Sequence, residues 1–260
     1  MTSILIVESN TPDIVAAGKS AANGFICSLA GIAPEAALTV VAPYAGDVPD
    51  SALDRIDGVI FTGAGVNWST AAPEAAPLRA FMERVFARGL PAYGSCNGLQ
   101  LAAVVLGGDV GASPNGFEVG LARDTTLTEA GRSHPMMAGR KDGFAVPCIH
   151  RDEVQRLPQG AVLLAGNAHS PVQAMAYEQG DICFWGVQYH PELTALDIAR
   201  YLRMKDGFFP GEDALISDLD SAPTDEAAAS RIGTTCAGLA APQRTLELAN
   251  WMAMVEGRKA

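Results

Sequence analysis

The stretch Gly94-Ser95-Cys96-Asn97-Gly98-Leu99-Gln100 sets one cysteine between two glycines. Apolar residues 90–93 precede it and apolar residues 101–106 follow, which predicts a strand, a sharp turn and a helix. A side chain on such a turn projects above the sheet at the carboxyl ends of the strands, where open α/β folds bind ligands. Glycines on both sides let neighbouring backbone pass without a Cβ clash. The helix start beside the sulfur offers a partial positive charge that favours thiolate. The Asn97 amide is free to face a developing oxyanion. A lone cysteine is more often a buried apolar residue; the two glycines at a strand–helix junction favour the nucleophile. Cys27, Cys148, Cys183 and Cys236 lack that setting.

A thiolate nucleophile needs a base, and the base an orienting group. Of the four histidines, His190 stands in Gln188-Tyr189-His190-Pro191-Glu192, after the apolar run 182–188. Pro191 ends the strand there. Glu192 can return its carboxylate to the imidazole and select its tautomer. His134 and His169 read as surface or structural, and Trp68 as a loop residue that packs or lines a pocket.

Strands are expected over 3–8, 38–42, 57–62 and 90–93, with helices over about 10–29, 73–88 and 98–106. Alternation of this kind predicts an α/β fold with a parallel sheet covered on both faces. Short strands over 119–128, 143–149, 161–166, 172–177 and 182–188 would complete a mixed sheet, followed by a helix over 194–202. Phe208-Phe209-Pro210-Gly211 breaks the pattern. Residues 1–205 are therefore expected to form one domain. Residues 206–260 are expected to be a helical extension packed on it, with the acidic segment 212–226 a solvated face and a last helix over 246–255.

The chain has 260 residues, 48% of them hydrophobic and 18% charged, which suits a folded protein with a sizeable core. A net charge of −11 argues against a nucleic-acid partner. No apolar run is long enough to span a membrane, and the N-terminus lacks a secretory leader, so the default location is the cytoplasm. Five scattered cysteines without a C-x-x-C pair argue against a disulfide framework or zinc site. With no metal-ligand cluster and no phosphate loop, no cofactor and no metal are expected.

Together the motifs resemble the class I glutamine amidotransferases over roughly residues 3–203. That family's elbow, Gly-x-Cys-x-Gly-x-Gln, is matched by Gly94, Cys96, Gly98 and Gln100. Its Gln-(Phe/Tyr)-His-Pro-Glu motif is matched at Gln188, Tyr189, His190, Pro191 and Glu192. Its glycine-rich turn is echoed by Thr62-Gly63-Ala64-Gly65. Fainter echoes at Glu118-Val119-Gly120, His150-Arg151-Asp152 and residues 157–161 and 170–174 look nearest to the domain that feeds ammonia to GMP synthesis. The resemblance implies a flavodoxin-like three-layer sandwich and a Cys96-His190-Glu192 triad. It implies an oxyanion hole from the Ala64 and Asn97 amides, with Gly63, Gln100, Arg151 and Asp152 around the substrate. Asn97, Leu99 and Arg151 depart from the usual pattern and leave the γ-glutamyl substrate open.

Two activities remain. One is a glutaminase that cuts the γ-amide of glutamine through a cysteinyl γ-glutamyl thioester and passes ammonia to a separate synthetase subunit, since the stretch after Arg203 is too short for an ATP-using acceptor domain. The other is a stand-alone hydrolase of γ-glutamylated amines or peptides. A non-catalytic binding module would not require all three triad residues. A homo-oligomer stays open.

Overall fold

The apolar runs near the N-terminus become strands because both of their faces are covered. In a computed structural model that describes residues 1–204, 209 and 211–258, β1 (Ser3–Val7), β3 (Gly58–Phe61) and β4 (Ala92–Ser95) are almost wholly buried, as strands of a parallel sheet between helix layers must be. The remaining strands are β2 (Ala37–Val41), β5 (Asp109–Ala112), β6 (Glu118–Leu127), β7 (Phe144–His150), β8 (Asp152–Arg156), β9 (Val162–Gly166), β10 (Ala174–Gln179) and β11 (Ile182–Val187). Nine form one sheet in the order β2-β1-β3-β4-β11-β10-β9-β6-β7, while β5 and β8 pair as a separate ribbon. Pairing is parallel from β2 to β11 and antiparallel from β11 to β7. The fold is the expected α/β one.

Register decides what can meet at the rim. Phe61 lies opposite Gly94, and Val187 opposite Ser95. The carboxyl ends of β3, β4 and β11 therefore stop at one level, and residues 62–65, Cys96 and His190 all leave the sheet there.

Helices cover both faces. Ala76–Ala87 and Asn97–Val105 bury Leu78, Phe81, Val85, Leu99 and Leu101 on one side. On the other, Ala22–Ile32 packs beside Leu246–Gly257, whose Leu248, Trp251, Met252 and Val255 join the core with Tyr93 and Trp185. The Trp251 ring lies 5.9 Å from that of Tyr93. A Cβ on Gly58 would come within 2.8 Å of its Cη2, so only glycine admits the indole. A third cluster joins Ala195–Leu202 to helices Asp213–Ser221 and Glu226–Arg231 over Leu121, Ala145 and Ile149. No helix among the described residues is long and apolar enough to cross a membrane.

Several expectations shift. The helix expected over 10–29 is two, Pro12–Ala16 and Ala22–Ile32, separated at Gly18, whose φ of 79° ends the first. The acidic segment 212–226 is only half solvated: Ile216 and Leu219 point inward, while Asp218 pairs with Arg231 and Asp220 with Arg203. Strands β5 and β8, which pair only with each other, have no apolar period to announce them, because β5 is half-buried at most and β8 buries the charged Asp152 and Glu153 beside Val154. The break at residues 208–211 falls partly outside the described residues.

Trp251→Ala would remove a fully buried indole from the principal core. The expected loss is about 3–5 kcal/mol, measured as a lower urea midpoint at unchanged slope. A midpoint that hardly moves would mean that the last helix is a dispensable appendage.

Candidate active site

Cys96 has φ 48° and ψ −103°, a backbone conformation that costs a non-glycine residue free energy and persists only where its surroundings enforce it. Its N–H donates to the Val187 carbonyl at 2.8 Å, and its own carbonyl accepts from Gln100 N–H at 3.0 Å. The glycines make room for this geometry. A Cβ at Gly98 would sit 2.3 Å from the Phe61 carbonyl oxygen, and one at Gly94 would sit 2.6 Å from the Gly98 carbonyl carbon. Asn97 opens the helix, so its amide is among those without an intrahelical acceptor.

β11 delivers Gln188-Tyr189-His190-Pro191-Glu192 to the same rim. His190 N–H donates to the Pro147 carbonyl at 2.8 Å, which ties the segment to β7. Its Nδ1 lies 2.7 Å from Glu192 Oε1, which also accepts from the Ser95 hydroxyl at 3.0 Å. Ser95, which precedes the cysteine, thus holds the carboxylate that orients the histidine. Gly24 makes room for that carboxylate: a Cβ there would lie 3.0 Å from Glu192 Cγ. Nε2, the other ring nitrogen, makes no hydrogen bond of ordinary geometry among the described residues. Burial pulls the imidazole toward its neutral form, but Glu192 and then Cys96 outweigh it and raise its proton affinity well above that of an ordinary histidine.

The turn after β3 borders the histidine. A Cβ at Gly63 would lie 2.7 Å from His190 Cε1. The turn is anchored by residues that sequence reasoning missed. Ser9 N–H donates to Thr62 Oγ1 at 3.0 Å, and Gly65 N–H to Asn10 Oδ1 at 2.6 Å. Glu8 in turn accepts from Asn10 N–H, the Ser20 hydroxyl and Ala22 N–H. Ala64 is half-buried between these anchors.

Gln100, Arg151 and Asp152 gather beside the elbow, already partnered. The Gln100 amide donates to the Asp152 carbonyl at 2.6 Å and to Gln188 Oε1 at 3.2 Å. Arg151 grips the Asp152 carboxylate through Nε at 2.6 Å and a terminal nitrogen at 3.0 Å, and bonds the Asn67 carbonyl. It thereby joins β8 to the loop that continues from Ala64. Trp68 in that loop packs edge-on against Tyr44.

Behind these lies a buried polar network that appeared in the sequence only as scattered echoes. Glu118 accepts from Asn167 at 2.7 Å and Gln173 at 2.7 Å, and lies 2.8 Å from His150 Nε2. Burial pushes its carboxyl up, but these donors, His150 foremost, hold it below the usual carboxylate range. His169 adds a third donor atom, so that Glu118, His150 and His169 offer ligand atoms within 4.8 Å of one another. The shared carboxylate oxygen already serves Gln173 and His150, so the cluster is a hydrogen-bonded one as it stands.

Glu192→Gln would remove the carboxylate that raises His190. Stability drawn from a raised pKa is fully present below the ordinary histidine value and is lost as pH rises through the raised one. The variant should therefore lose about 1.5–3 kcal/mol near pH 6, with the gap to the parent narrowing as pH rises. A gap that widens toward alkaline pH in thermal melts contradicts this reading.

The model of the family "Glutamine amidotransferase class-I" matches residues 33–203. A γ-glutamyl-L-1-hydroxyisopropylamide hydrolase from a Pseudomonas species is 42% identical over 154 residues, covering 58% of this chain and 52% of that protein. A glutamine-hydrolysing GMP synthase from Clostridium novyi is 34% identical over 153 residues, covering 59% of this chain and 28% of that protein. The chain thus spans about half of the first relative and under a third of the second. A glutamine amidotransferase structure from Thermotoga maritima superposes with a TM-score of 0.67 at 17% identity, over 98% of this chain and 97% of its own. That likeness extends the shared fold through the C-terminal helices. The chain belongs to the class I glutamine amidotransferase family.

Proposed function

We propose that the protein hydrolyses γ-glutamyl amides through a thioester on Cys96, and that its substrates are γ-glutamylated amines. What supports the reading is a strained cysteine just past the end of β4, the parallel strand β11 that leads to His190 at the same rim, a bond from that ring's Nδ1 to a carboxylate, and the influence of Cys96 on the ring's proton affinity. In the first step the sulfur bonds to the γ-carbonyl carbon and the thiol proton passes to His190 Nε2. The Ala64 and Asn97 amides receive the oxyanion. As the C–N bond breaks, His190 returns the proton to the leaving amine. Water then adds to the thioester carbon and gives a proton to His190; the C–S bond breaks, His190 returns that proton to the sulfur, and glutamate leaves with the free thiol restored. Glu192 holds the ring and stabilises its charge.

Gly63 keeps the ring's edge clear for the scissile group. Gln100 holds Asp152 in place. Arg151 and Asp152 offer opposite charges to the α-carboxylate and α-ammonium of the glutamyl moiety, exchanging part of their mutual ion pair for the substrate's. The 42% identical relative named for hydrolysis of a γ-glutamyl hydroxyalkylamide supports an N-substituted amide over free glutamine. The GMP synthase relatives favour a second reading, in which glutamine is cut and the ammonia passes to a separate acceptor enzyme.

Purified protein given γ-glutamyl isopropylamide, γ-glutamyl hydroxyalkylamides and glutamine should release glutamate with kcat/KM about tenfold or more in favour of the substituted amides, a difference of about 1.4 kcal/mol. Cys96→Ala should reduce turnover on the order of a thousandfold or more. Unchanged hydrolysis by the alanine variant ends the proposal. Glutamine turnover that requires an added synthetase favours the second reading.

A further inference from the structure

Two buried charges from the C-terminal helices flank the triad histidine along the chain. Glu247 is fully buried, and its carboxylate accepts from Arg140 at 2.6 and 2.8 Å and from the Tyr189 hydroxyl at 2.7 Å. Arg244 is 7% exposed and donates to the Pro191 carbonyl. Its own carbonyl accepts from Arg140 at 3.2 Å. Residues 189 and 191 are thus held from the same side, one by each charge, and His190 lies between them.

Burying an arginine and a glutamate is expensive, and apolar packing would hold two segments together as well or better. Hydrogen bonds to a chosen carbonyl and a chosen hydroxyl instead fix where the backbone lies. Arg244 Nε and Glu192 Oε2 are both buried without a hydrogen-bond partner among the described residues, and the Glu192 charge acts on Arg244.

We propose that Arg244 and Glu247 are positioning residues for the proposed thiol chemistry: together they clamp Tyr189 and Pro191, so that the imidazole of His190 is held against Cys96. The clamp rests on the reading of Cys96 and His190 as nucleophile and base. Arg244 also brings a positive charge to the site. It is faced by Glu192 and by Asp197 of helix Ala195–Leu202. Tyr93 and Tyr201 face Glu192, Arg140 and Tyr189 face Glu247, and Cys96 faces His190. A cation there favours the deprotonated form of its neighbours, so removing it raises their proton affinity.

The test uses the full chain as Arg244→Gln, Arg244→Lys and Tyr189→Phe, with Leu248→Ala as a control for lost core packing. The first readout, alkylation of Cys96 by iodoacetamide across pH, needs no substrate. Arg244→Gln should slow alkylation about tenfold and move its acid limb upward by about one pH unit. Its kcat on γ-glutamyl amides should fall at least as far with KM within about twofold. Arg244→Lys should recover most of the pH shift. Tyr189→Phe, which keeps the packing and removes one bond to Glu247, should show the same loss of kcat in milder form, and it carries the test if Arg244→Gln does not fold. Leu248→Ala should melt lower yet keep the parental alkylation profile. The proposal is overturned if Arg244→Gln, or Tyr189→Phe in its place, alkylates and turns over as the parent does and differs only in melting temperature, or if Leu248→Ala reproduces its losses. If the parent cleaves no γ-glutamyl amide while the alkylation shift appears, the clamp stands and the substrate reading fails.

Discussion

The site depends on the backbone at Cys96 being held where an L-residue does not relax. That conformation costs about 1–3 kcal/mol and exists because close packing leaves the chain no other path. Between β4 and the following helix, Gly98 lies so near the Phe61 carbonyl that a methyl group could not fit. The strand-side bond from Cys96 N–H to Val187 then pins the turn to β11. Since β11 also leads directly into the segment that bears the histidine, one strand fixes both the strained residue and the position of its partner. Parallel pairing from β3 through β11 aligns the three strand ends, and without that alignment the sulfur, the ring and the glycine turn would not face a common space.

Polar groups around this strain are linked rather than isolated. Ser95 and His190 share one Glu192 oxygen. The turn beside them hangs on Asn10 and Thr62, and Asn10 in turn on Glu8. Buried polar groups stay cheap only when partnered, and such chains transmit position from the core to the rim. The C-terminal helices take part in this as well as in the core. Trp251 and Leu248 supply apolar burial, while Arg244 and Glu247 reach Pro191 and Tyr189.

The parallel half of the fold was legible because β1 and β3 are mostly apolar runs, and the apolar residues 90–93 mark β4, although that strand sits two residues later and ends in Gly94-Ser95. The elbow and the His190 segment were legible because a sharp turn and a strand end demand particular residue types at fixed spacing. What stayed hidden is what depends on distant pairing. Nothing local marks Ser95 as a donor to Glu192, Gly24 as the space beside that carboxylate, or Glu118 as the centre of a network drawing on residues up to 55 positions away. Strands β5 and β8 escaped for a similar reason, since Arg156 and Glu153 find their partners at Asp109 and Ser170, 47 and 17 positions away. The extension's last helix could be read as a helix from its apolar content, but not its place in the main core, which requires a glycine at residue 58 to admit the indole of Trp251.

The most direct measurement is the covalent state of Cys96 during turnover. The protein would be mixed with a γ-glutamyl amide, quenched in acid within milliseconds to seconds, digested, and its peptides weighed by mass spectrometry. The account predicts a glutamyl adduct confined to the peptide bearing Cys96, labile to hydroxylamine and absent when the amide is omitted. Rapid release of glutamate with the adduct on a different residue, or with that peptide unmodified at every quench time while Cys96→Ala retains full turnover, would contradict it.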